Sequence, residues 1–327
     1  MSKNKSQLQY VDPRKLVPPY KPGKGYRPFH KGDHGRVMVV GGCQDYSGAP
    51  AMAALSAART GADMVHILCP KEVSSVIKTY NPNLMVHGYL EEEASKPLPN
   101  KAIDLIDRMH VVLVGCGLGR EPKLLEQVKQ LIREVHRKGK PLVIDADGLF
   151  LVSQDHSLIT TGDVTLTPNY VEFLRLCKSF DDFPVDPEQD LLGSVKHLTK
   201  TTGCKVLLKN ESDIVSSGGY VEQIDEIGSP RRTSGQGDIL AGCVAAFTSW
   251  RVAYQKHLWD VEPLNKSRVE DSDRRALEEL AAPCGASEVV RLASSLAFDQ
   301  KHRSMMANDV LDRVGDAFEL FLELQRL

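Results

Sequence analysis

The sequence predicts an α/β fold of the doubly wound type, in which a mainly parallel sheet is flanked by helices. Six short apolar runs rich in β-branched residues occur along the chain, and most end in glycine, proline, asparagine or aspartate, which favour turns. Between these runs lie segments whose apolar residues recur at spacings of three and four. Because the two patterns alternate, we expect βαβ units with right-handed crossovers.

The six apolar runs are expected to be strands buried on both faces, because they lack the polar alternation of a half-exposed strand. In chain order they are RVMVVGG (36–42), MVHILCP (64–70), VVLVGCG (111–117), PLVIDAD (141–147), VTLTPN (164–169) and KVLLKN (205–210). Three segments are expected to be helices, namely GAPAMAALSAARTGA (48–62), LLEQVKQLIREVHRKGK (124–140) and LLGSVKHLTKTTG (191–203). Residues 286–327 predict amphipathic helices that complete the same body.

One domain of 327 residues is expected, with two additions to its body. Residues 1–33 contain many prolines, glycines and lysines, and they predict an arm that wraps the body without joining its sheet. Charged residues at about 251–281 interrupt two apolar helix patterns. We expect this second segment to be a solvated insertion without chemistry.

The composition favours a cytoplasmic enzyme that acts on small molecules. The 41 basic and 43 acidic side chains nearly cancel and are spread along the chain, which argues against a nucleic-acid partner. No uncharged run has the length needed to cross a bilayer, and the N-terminus lacks the apolar core of a signal peptide. The seven cysteines lack metal-ligand spacing and are expected to be buried thiols.

The stretch TSGQGDILAG, residues 233–242, combines features that suit phosphoryl transfer. Gly235 and Gly237 allow backbone amides to converge at the start of a helix, whose positive dipole end completes an anion hole. Asp238 beside them is either a helix cap or a base that takes the proton of a substrate hydroxyl. This motif alone leaves both interpretations open.

Acidic and amide side chains follow two other strands. TPNYVEF places Asn169 and Glu172 three residues apart, on one face of a helix that begins after the proline. Their oxygens suit Mg²⁺, directly or through water, but the same spacing is typical of a helix cap. VIDADGL places Asp145 and Asp147 at a strand end, where the alternative is an ordinary turn.

Glycines and a lysine complete this set of strand ends. Lys209 in VLLKN either reaches nucleotide phosphates or is solvated, and GGCQDYSGAP (41–50) is either a ligand loop or a tightly packed turn. VGCGLG supplies Gly117 and Gly119 for close approach of a ligand, but it lacks the second half of the dinucleotide-binding glycine pattern. Because the carboxyl ends of parallel strands meet at one edge, we expect the chemistry there.

In this order, the glycine-rich turn, DAD, TPNxxE, the strand-end lysine and GxGD resemble the ribokinase-like superfamily. The closer similarity is to the ATP-dependent NAD(P)H-hydrate dehydratase family, through HKGDHGRVMVVGGCQDYSGAPAMAALSAARTGA, GCGLG, VIDADGL, TPNYVEFLRL, VLLKN, SGQGDILAG and RSMMANDVL. These blocks cover about residues 30–250 and 290–315. The chain departs from the family pattern at four positions. The family pattern has serine where this chain has Cys43, proline where it has Cys116 and glycine where it has Asn210, and Gln236 lies inside the glycine turn.

The resemblance implies an enzyme that removes water from the S epimer of hydrated NADH or NADPH. ATP would be the phosphoryl donor and Mg²⁺ the cofactor, and we expect ATP rather than ADP because the arm and the insertion look eukaryotic. Asp238 would deprotonate the ring hydroxyl, Gly235 and Gly237 would hold the phosphoryl group, and phosphate would then leave. The resemblance also implies a functional link to an epimerase of hydrated NADH and NADPH, and it leaves a homo-oligomer open.

The contacts that the resemblance implies form three sets. The ATP set is Lys209, Asn210, Glu211, Ser212, Asp213, Gly228, Ser229, Arg232, Thr233, Ser234, Gly235, Gln236 and Gly237. The substrate set is Gly117, Gly119, Asn169, Tyr170, Val171, Glu172, Phe173, Leu174, Arg175 and Asp238. The metal set is Asn169 and Glu172, directly or through water. Two other functions stay open: a kinase of a vitamin-precursor alcohol, and a nucleotide-binding regulator without turnover.

Overall fold

Nine strands form one sheet in a computed structural model of the chain, which describes residues 8–91, 97–160, 162–181, 183–261, 264 and 271–323. The strand order is β3-β2-β1-β4-β5-β6-β7-β8-β9. Strands β1 to β7 are parallel, and β8 is antiparallel to both β7 and β9. The predicted doubly wound, mainly parallel architecture is confirmed.

The strands have the following bounds: β1 Arg36–Val40, β2 Met64–Pro70, β3 Met85–Leu90, β4 Val111–Val114, β5 Leu142–Ile144, β6 Val164–Leu166, β7 Lys205–Leu208, β8 Asp213–Ser217 and β9 Tyr220–Ile224. All six predicted strands are present, as β1, β2, β4, β5, β6 and β7. The strands β3, β8 and β9 are additional to the prediction, and they occupy the two ends of the sheet.

The helices have the following bounds: α1 Gly48–Thr60, α2 Lys71–Tyr80, α3 Asn100–Asp107, α4 Pro122–Arg137, α5 Asp147–Gln154, α6 Tyr170–Ser179, α7 Leu191–Thr202, α8 Gln236–Gln255, α9 Asp271–Lys301, α10 Ala307–Asp312 and α11 Val314–Glu323. The three predicted helices are α1, α4 and α7. None of the helices in the described part of the chain is both long and apolar enough to span a bilayer.

Helices cover both faces of the sheet, so the protein has two hydrophobic cores. Alternate residues of β1 show this: Val37 and Val39 pack into one core, with α1, α2 and α8 to α11. Met38 and Val40 pack into the other core, with α3 to α7. All seven cysteines are buried thiols outside any disulfide bond, as predicted.

Helix α8, which begins with the GxGD motif, is held against α1 by a close crossing. A side chain at Gly242 would lie 2.0 Å from the carbonyl oxygen of Ala53, so only glycine permits this approach. The Ser56 hydroxyl donates a hydrogen bond to the carbonyl oxygen of Ile239 at 2.9 Å. This contact lies one residue after Asp238 and therefore fixes the position of the first turn of α8.

The N-terminal arm packs on the body and contributes no strand in residues 8–33. Leu8, Val11 and Leu16 are buried, and the backbone amides of Gln9 and Tyr10 donate to the Glu222 carboxylate at 2.9 and 2.6 Å. In its described residues the arm thus lies against the body through buried side chains and through hydrogen bonds to Glu222.

The predicted insertion at about 251–281 is not solvated at its two ends. Arg251 lies in α8 with only 2% of its surface exposed, and Leu277, Leu280 and Ala281 are buried in α9. The charge of Arg251 is paired with Asp163, which a pattern of charges along the sequence does not reveal. Residues 262–263 and 265–270 of the segment lie outside the described residues.

The prediction of amphipathic helices at the end of the chain is wrong for the centre of α9. Residues 281–294 are buried on all sides, because α9 packs between α8, α11 and the sheet strands β8 and β9. Helix α11 does match the prediction, with Val314, Ala317 and Phe321 buried on one side.

Candidate active site

The carboxyl ends of β4, β5, β6 and β7 meet at one edge of the sheet, and the predicted motifs follow these strands directly. Asp145 comes after β5, Asn169 lies three residues after β6, and Lys209 comes after β7. Asp238 lies in the first turn of α8 at the same edge. The predicted site residues therefore lie together at the carboxyl edge of the sheet.

Lys209 and Asp145 form the centre of this edge. The Lys209 ammonium lies 2.7 Å from Oδ1 of Asp145 and 3.9 Å from Oε2 of Glu172. Burial alone would lower the pKa of Lys209, but the charges of Asp145 and Glu172 outweigh it and the pKa is raised. The lysine is therefore a fixed cation within the site, and the alternative of a merely solvated lysine is wrong.

Asp238 is the third residue of α8, whose N-cap is Gly235. Because the cap position belongs to the glycine, Asp238 is not the N-cap residue. Burial, and then the charge of Asp145, raise the pKa of Asp238 to about 7, while Lys209 acts in the opposite direction. A carboxyl group with this pKa can both accept and release a proton near neutral pH.

The glycine turn before Asp238 lies next to the ammonium group of Lys209. Gly235 has a φ of 93°, in the left-handed region that favours glycine. A Cβ at Gly237 would lie 3.4 Å from Nζ of Lys209, so the ammonium is adjacent to the first turn of α8. The positive end of the helix dipole and a fixed cation therefore lie side by side, which suits a phosphoryl group.

Asn169 and Glu172 form a capping box at the start of α6. Oδ1 of Asn169 accepts from the Glu172 amide at 2.9 Å, and Oε2 of Glu172 accepts from the Asn169 amide at 2.8 Å. Burial raises the pKa of Glu172. The capping interpretation is confirmed, and it leaves Glu172 beside the Lys209 cation at the same time.

A cleft of about 570 Å³ opens beside this cluster, between α6, the β7–β8 turn, the start of α8 and the middle of α9. Its volume is within the range of small-molecule sites. The lining residues are Asn169, Tyr170, Val171, Lys209, Asn210, Asp213, Arg232, Thr233, Gln236, Gly237, Leu240, Ser287, Val290 and Arg291. The cleft is thus lined by part of the predicted ATP set and by Asn169, Tyr170 and Val171 of the predicted substrate set.

Two polar atoms of the cleft residues are buried without a protein partner in the described part of the chain. They are Oγ1 of Thr233 and Oε1 of Gln236. Buried polar atoms of native proteins nearly always have a hydrogen-bond partner. Their position in the cleft therefore suits a ligand that brings hydrogen-bonding groups.

Several predicted site residues do not line the cleft. Phe173 is fully buried in the core, and Leu174 lines a separate cleft beside Phe180 and Phe183. The residues of a helix turn by about 100° at each step, so the seven residues 169–175 cannot share one face. The predicted substrate contact is therefore corrected for Phe173 and Leu174. Others that do not line it are Gly117, Gly119, Glu172, Arg175, Glu211, Ser212, Gly228, Ser229, Ser234, Gly235 and Asp238.

The loop with Gly117 and Gly119 packs against the glycine-rich loop 41–50. A Cβ at Gly117 would lie 2.9 Å from the carbonyl oxygen of Tyr46, and one at Gly119 would lie 3.0 Å from Sγ of Cys43. The Gly119 amide also donates to Asp147 at 2.9 Å. The tight packing that was one of the two expectations for residues 41–50 is therefore present.

The cleft has a wall that the sequence analysis did not predict. Ser287, Val290 and Arg291 reach it from α9, on one helical face because they are three and four residues apart. Ser287 donates to Oδ2 of Asp213 at 2.7 Å, and Nη1 of Arg291 lies 3.4 Å from Oδ1. Asp213 also accepts from the Asn210 amide at 2.9 Å, so it braces the β7–β8 turn.

Comparison with known proteins gives consistent results. A family model described as NAD(P)H-hydrate dehydratase matches residues 37–315. The ATP-dependent (S)-NAD(P)H-hydrate dehydratase of Neurospora crassa is 39% identical over 336 residues, which cover 93% of this chain and 91% of that protein.

Two solved structures share the fold. A ribokinase-like superfamily protein from Enterococcus faecalis has a TM-score of 0.67 at 20% identity, and the match covers 96% of each chain. The ADP/ATP-dependent NAD(P)H-hydrate dehydratase from Bacillus subtilis, co-crystallised with ATP and Mg²⁺, has a TM-score of 0.63 at 17% identity. That match covers 97% of this chain and 100% of the Bacillus chain.

Proposed function

The chain belongs to the NAD(P)H-hydrate dehydratase family, and on this basis we propose that it dehydrates the S epimer of hydrated NADH and NADPH at the expense of ATP. The observation that carries the proposal is the position of Asp238. Its carboxyl group, with a pKa of about 7, lies in the first turn of α8 beside the Lys209 cation and the cleft.

In the proposed reaction, Asp238 takes the proton of the ring hydroxyl while the hydroxyl oxygen attacks the γ-phosphorus of ATP. The bond between the β–γ bridging oxygen and the γ-phosphorus breaks, and ADP leaves. The ring carbon–oxygen bond then breaks, phosphate leaves with the bonding electrons, and loss of a ring proton forms the double bond. Phosphate is a much better leaving group than hydroxide, which is why ATP makes this elimination feasible.

The cleft supports a binding mode for ATP. Thr233 and Gln236 offer buried polar atoms, and Lys209 and Arg232 supply positive charge along the same wall. We propose that the triphosphate lies along this wall with its γ-phosphoryl group at the first turn of α8, where the helix dipole favours an anion. The adenine would then lie toward Val290 and Leu240, which give the cleft its apolar lining.

Mg²⁺ would neutralise charge on the ATP phosphates when bound. Glu172 fits this role through water, because a carboxylate with one hydrogen bond to the Asn169 amide keeps further lone pairs. Asn169 fits in the same way, because its side-chain oxygen accepts one hydrogen bond from the Glu172 amide and keeps a second lone pair. We therefore propose both residues of the implied metal set, Asn169 and Glu172, directly or through water.

Further parts of the proposal concern the cell and the chain. We propose that residues 1–327 form one domain, since the described strands belong to one sheet, and that it acts in the cytoplasm, where its seven buried thiols would stay reduced. An epimerase that interconverts the hydrate epimers would supply the S form. This link rests on the stereochemistry of the substrate and requires no physical contact.

The test combines purified protein, hydrated NADH, Mg²⁺ and ATP, and follows the absorbance of the reduced nicotinamide ring together with phosphate release. We expect both signals to rise at equal rates only when nucleotide is present, and a parallel reaction with ADP identifies the donor. A phosphorylated product without the chromophore would instead support a kinase of a small alcohol. ATP binding without turnover of either kind would support the regulator.

A further inference from the structure

Cys116 lies in the site at a position where the backbone is closely packed. It follows β4, and its carbonyl oxygen accepts from the Gly42 amide at 3.0 Å. A Cβ at Gly41 would lie 2.1 Å from that oxygen, and one at Gly115 would lie 1.8 Å from the carbonyl oxygen of Asp145. The backbone on both sides of the thiol is therefore fixed by contacts that tolerate only glycine.

The Cys116 side chain is fully buried and lies against two carboxylates. Its Sγ and one carboxylate oxygen from each of Asp145 and Asp238 lie within 4.8 Å of one another. Burial, and then the charges of Asp238 and Asp145, raise the pKa of the Cys116 thiol well above its usual value. The group therefore stays protonated at neutral pH and acts as a hydrogen-bond donor rather than as a nucleophile.

The Asp238 carboxylate is an acceptor for the Cys116 thiol. Asp145 already accepts from Lys209 at 2.7 Å and from the Thr167 hydroxyl at 2.8 Å, both on Oδ1. Sγ of Cys116 also lies within 4.8 Å of a carboxylate oxygen of Asp238, and the thiol acts to lower the pKa of Asp238, against the effects of burial and of Asp145. The groups that face Asp238 are thus a thiol after β4, a carboxylate after β5 and a cation after β7.

We propose, on the basis of the proposed function, that Cys116 is a positioning residue for Asp238. Its S–H group donates to one lone pair of the carboxylate and so fixes the orientation of the base, while other lone pairs remain for the proton of the substrate. The hydrogen bond also favours the ionised carboxylate, which is the form that can act as a base. Lys209 also favours the ionised carboxylate through its charge, while its ammonium donates to Asp145.

The first test measures kcat at saturating substrates from about pH 5.5 to about pH 9, on either side of the Asp238 pKa. We expect Cys116→Ala to move the acidic limb of the kcat–pH profile to higher pH by about half to one unit, because the ionised Asp238 loses a weak hydrogen bond. Cys116→Ser, which keeps a hydrogen-bond donor, should bring the acidic limb most of the way back to its wild-type position. The matched control is Cys204→Ala, a buried cysteine before β7, which should leave the limb unchanged.

Two outcomes would overturn the positioning role. One is a profile of Cys116→Ala that coincides with the wild type, and the other is an equal loss of kcat at every pH, which indicates only structural damage. A wild-type protein without turnover would count against the proposed function instead.

A second test does not depend on turnover. The infrared difference spectrum between the wild type and Cys116→Ala isolates the S–H stretch of this thiol. We expect Asp238→Asn to move that band to higher frequency, because an amide oxygen is a weaker acceptor than a carboxylate. An unchanged band in Asp238→Asn would show that the thiol does not donate to this residue, and would end the proposal even if the enzyme is active.

Discussion

At the scale of single residues, Asp238 combines two properties that oppose each other. Its burial and its proximity to Asp145 raise its pKa to about 7, so the folded protein holds a proton that the unfolded chain releases near pH 4. As the pH rises from about 4 to about 7, this group therefore removes stability from the fold. The same shift gives the residue the pKa of a base that works near neutral pH.

We expect Asp238→Asn to be nearly inactive and more stable at alkaline pH. Turnover should fall by about two or more powers of ten, because the positioned proton acceptor is lost, while ATP binding persists. Thermal unfolding should show a higher Tm than the wild type at pH 8 and an equal Tm at about pH 3, where the wild-type carboxyl is protonated in both the folded and the unfolded state. Near-normal turnover would remove Asp238 from the role of base, and an equal Tm at both pH values would show that its pKa is not raised.

Prediction from sequence succeeded at residues whose neighbours along the chain define their environment. Gly235, Gly237 and Asp238 lie in one turn, and the sequence of that turn correctly predicted the start of a helix, while its role as an anion site stays a prediction. Ser287 and Arg291 were missed, because their role depends on Asp213, which is more than seventy residues away along the chain. A local pattern cannot report such a partner.

At the scale of elements, helix α6 begins with a residue pair that serves two purposes. Glu172 accepts the Asn169 amide in the capping box, and it lies 3.9 Å from the Lys209 cation. Metal binding and capping appeared as alternatives in the sequence, but the geometry makes them compatible. One carboxylate oxygen accepts the cap hydrogen bond, and the carboxylate group as a whole supplies negative charge to the site.

The two purposes can be separated by substitution, because glutamine also completes a capping box. We expect Glu172→Gln to raise the Mg²⁺ concentration that gives half-maximal activity, with little change in Tm. Glu172→Ala should show the same metal effect and also lose about 1 kcal/mol of unfolding free energy, as for other lost caps. A magnesium titration identical to that of the wild type in both variants would restrict Glu172 to its capping role.

The strands that sequence analysis missed share a physical reason. The six predicted strands are buried on both faces and are therefore continuous apolar runs. In β3, MVHGYL contains a histidine and a glycine, and β8 and β9 contain serines, a glutamate and a glutamine. β3 and β9 lie at the two ends of the sheet and are only partly buried, so polar residues are tolerated there, whereas β8 is fully buried and still contains an aspartate and two serines.

At the scale of the whole molecule, α8 connects two opposite edges of the sheet. Its first turn holds Asp238 at the carboxyl edge, and Arg251, thirteen residues later, lies about 20 Å along the helix axis. There Arg251 and Lys205 of β7 both form ion pairs with Asp163, which precedes β6. The helix that carries the proposed base is therefore fixed to the sheet at its far end by charges.

The last prediction concerns the ion pairs that Asp163 forms with Arg251 and Lys205. Burial alone would raise the pKa of Asp163, but Arg251 and Lys205 outweigh it and hold the pKa well below its usual range. Asp163→Asn leaves two almost fully buried cations without their carboxylate, which should cost about 3–5 kcal/mol of unfolding free energy and lower Tm by roughly 10 °C. The matched control is Asp107→Asn, whose carboxylate pairs with Lys138 at an exposed position and should contribute less than about 1 kcal/mol.

The pH dependence of the same pair of variants tests the cause. A carboxyl group whose pKa is lowered in the folded state contributes stability above its unfolded pKa, and this contribution is lost as the pH falls through the folded value. The Tm difference between the wild type and Asp163→Asn should therefore be constant at neutral pH and should shrink below about pH 4. A difference that persists undiminished in acid would mean that packing around Asp163, and not its charge, holds the far end of α8 to the sheet.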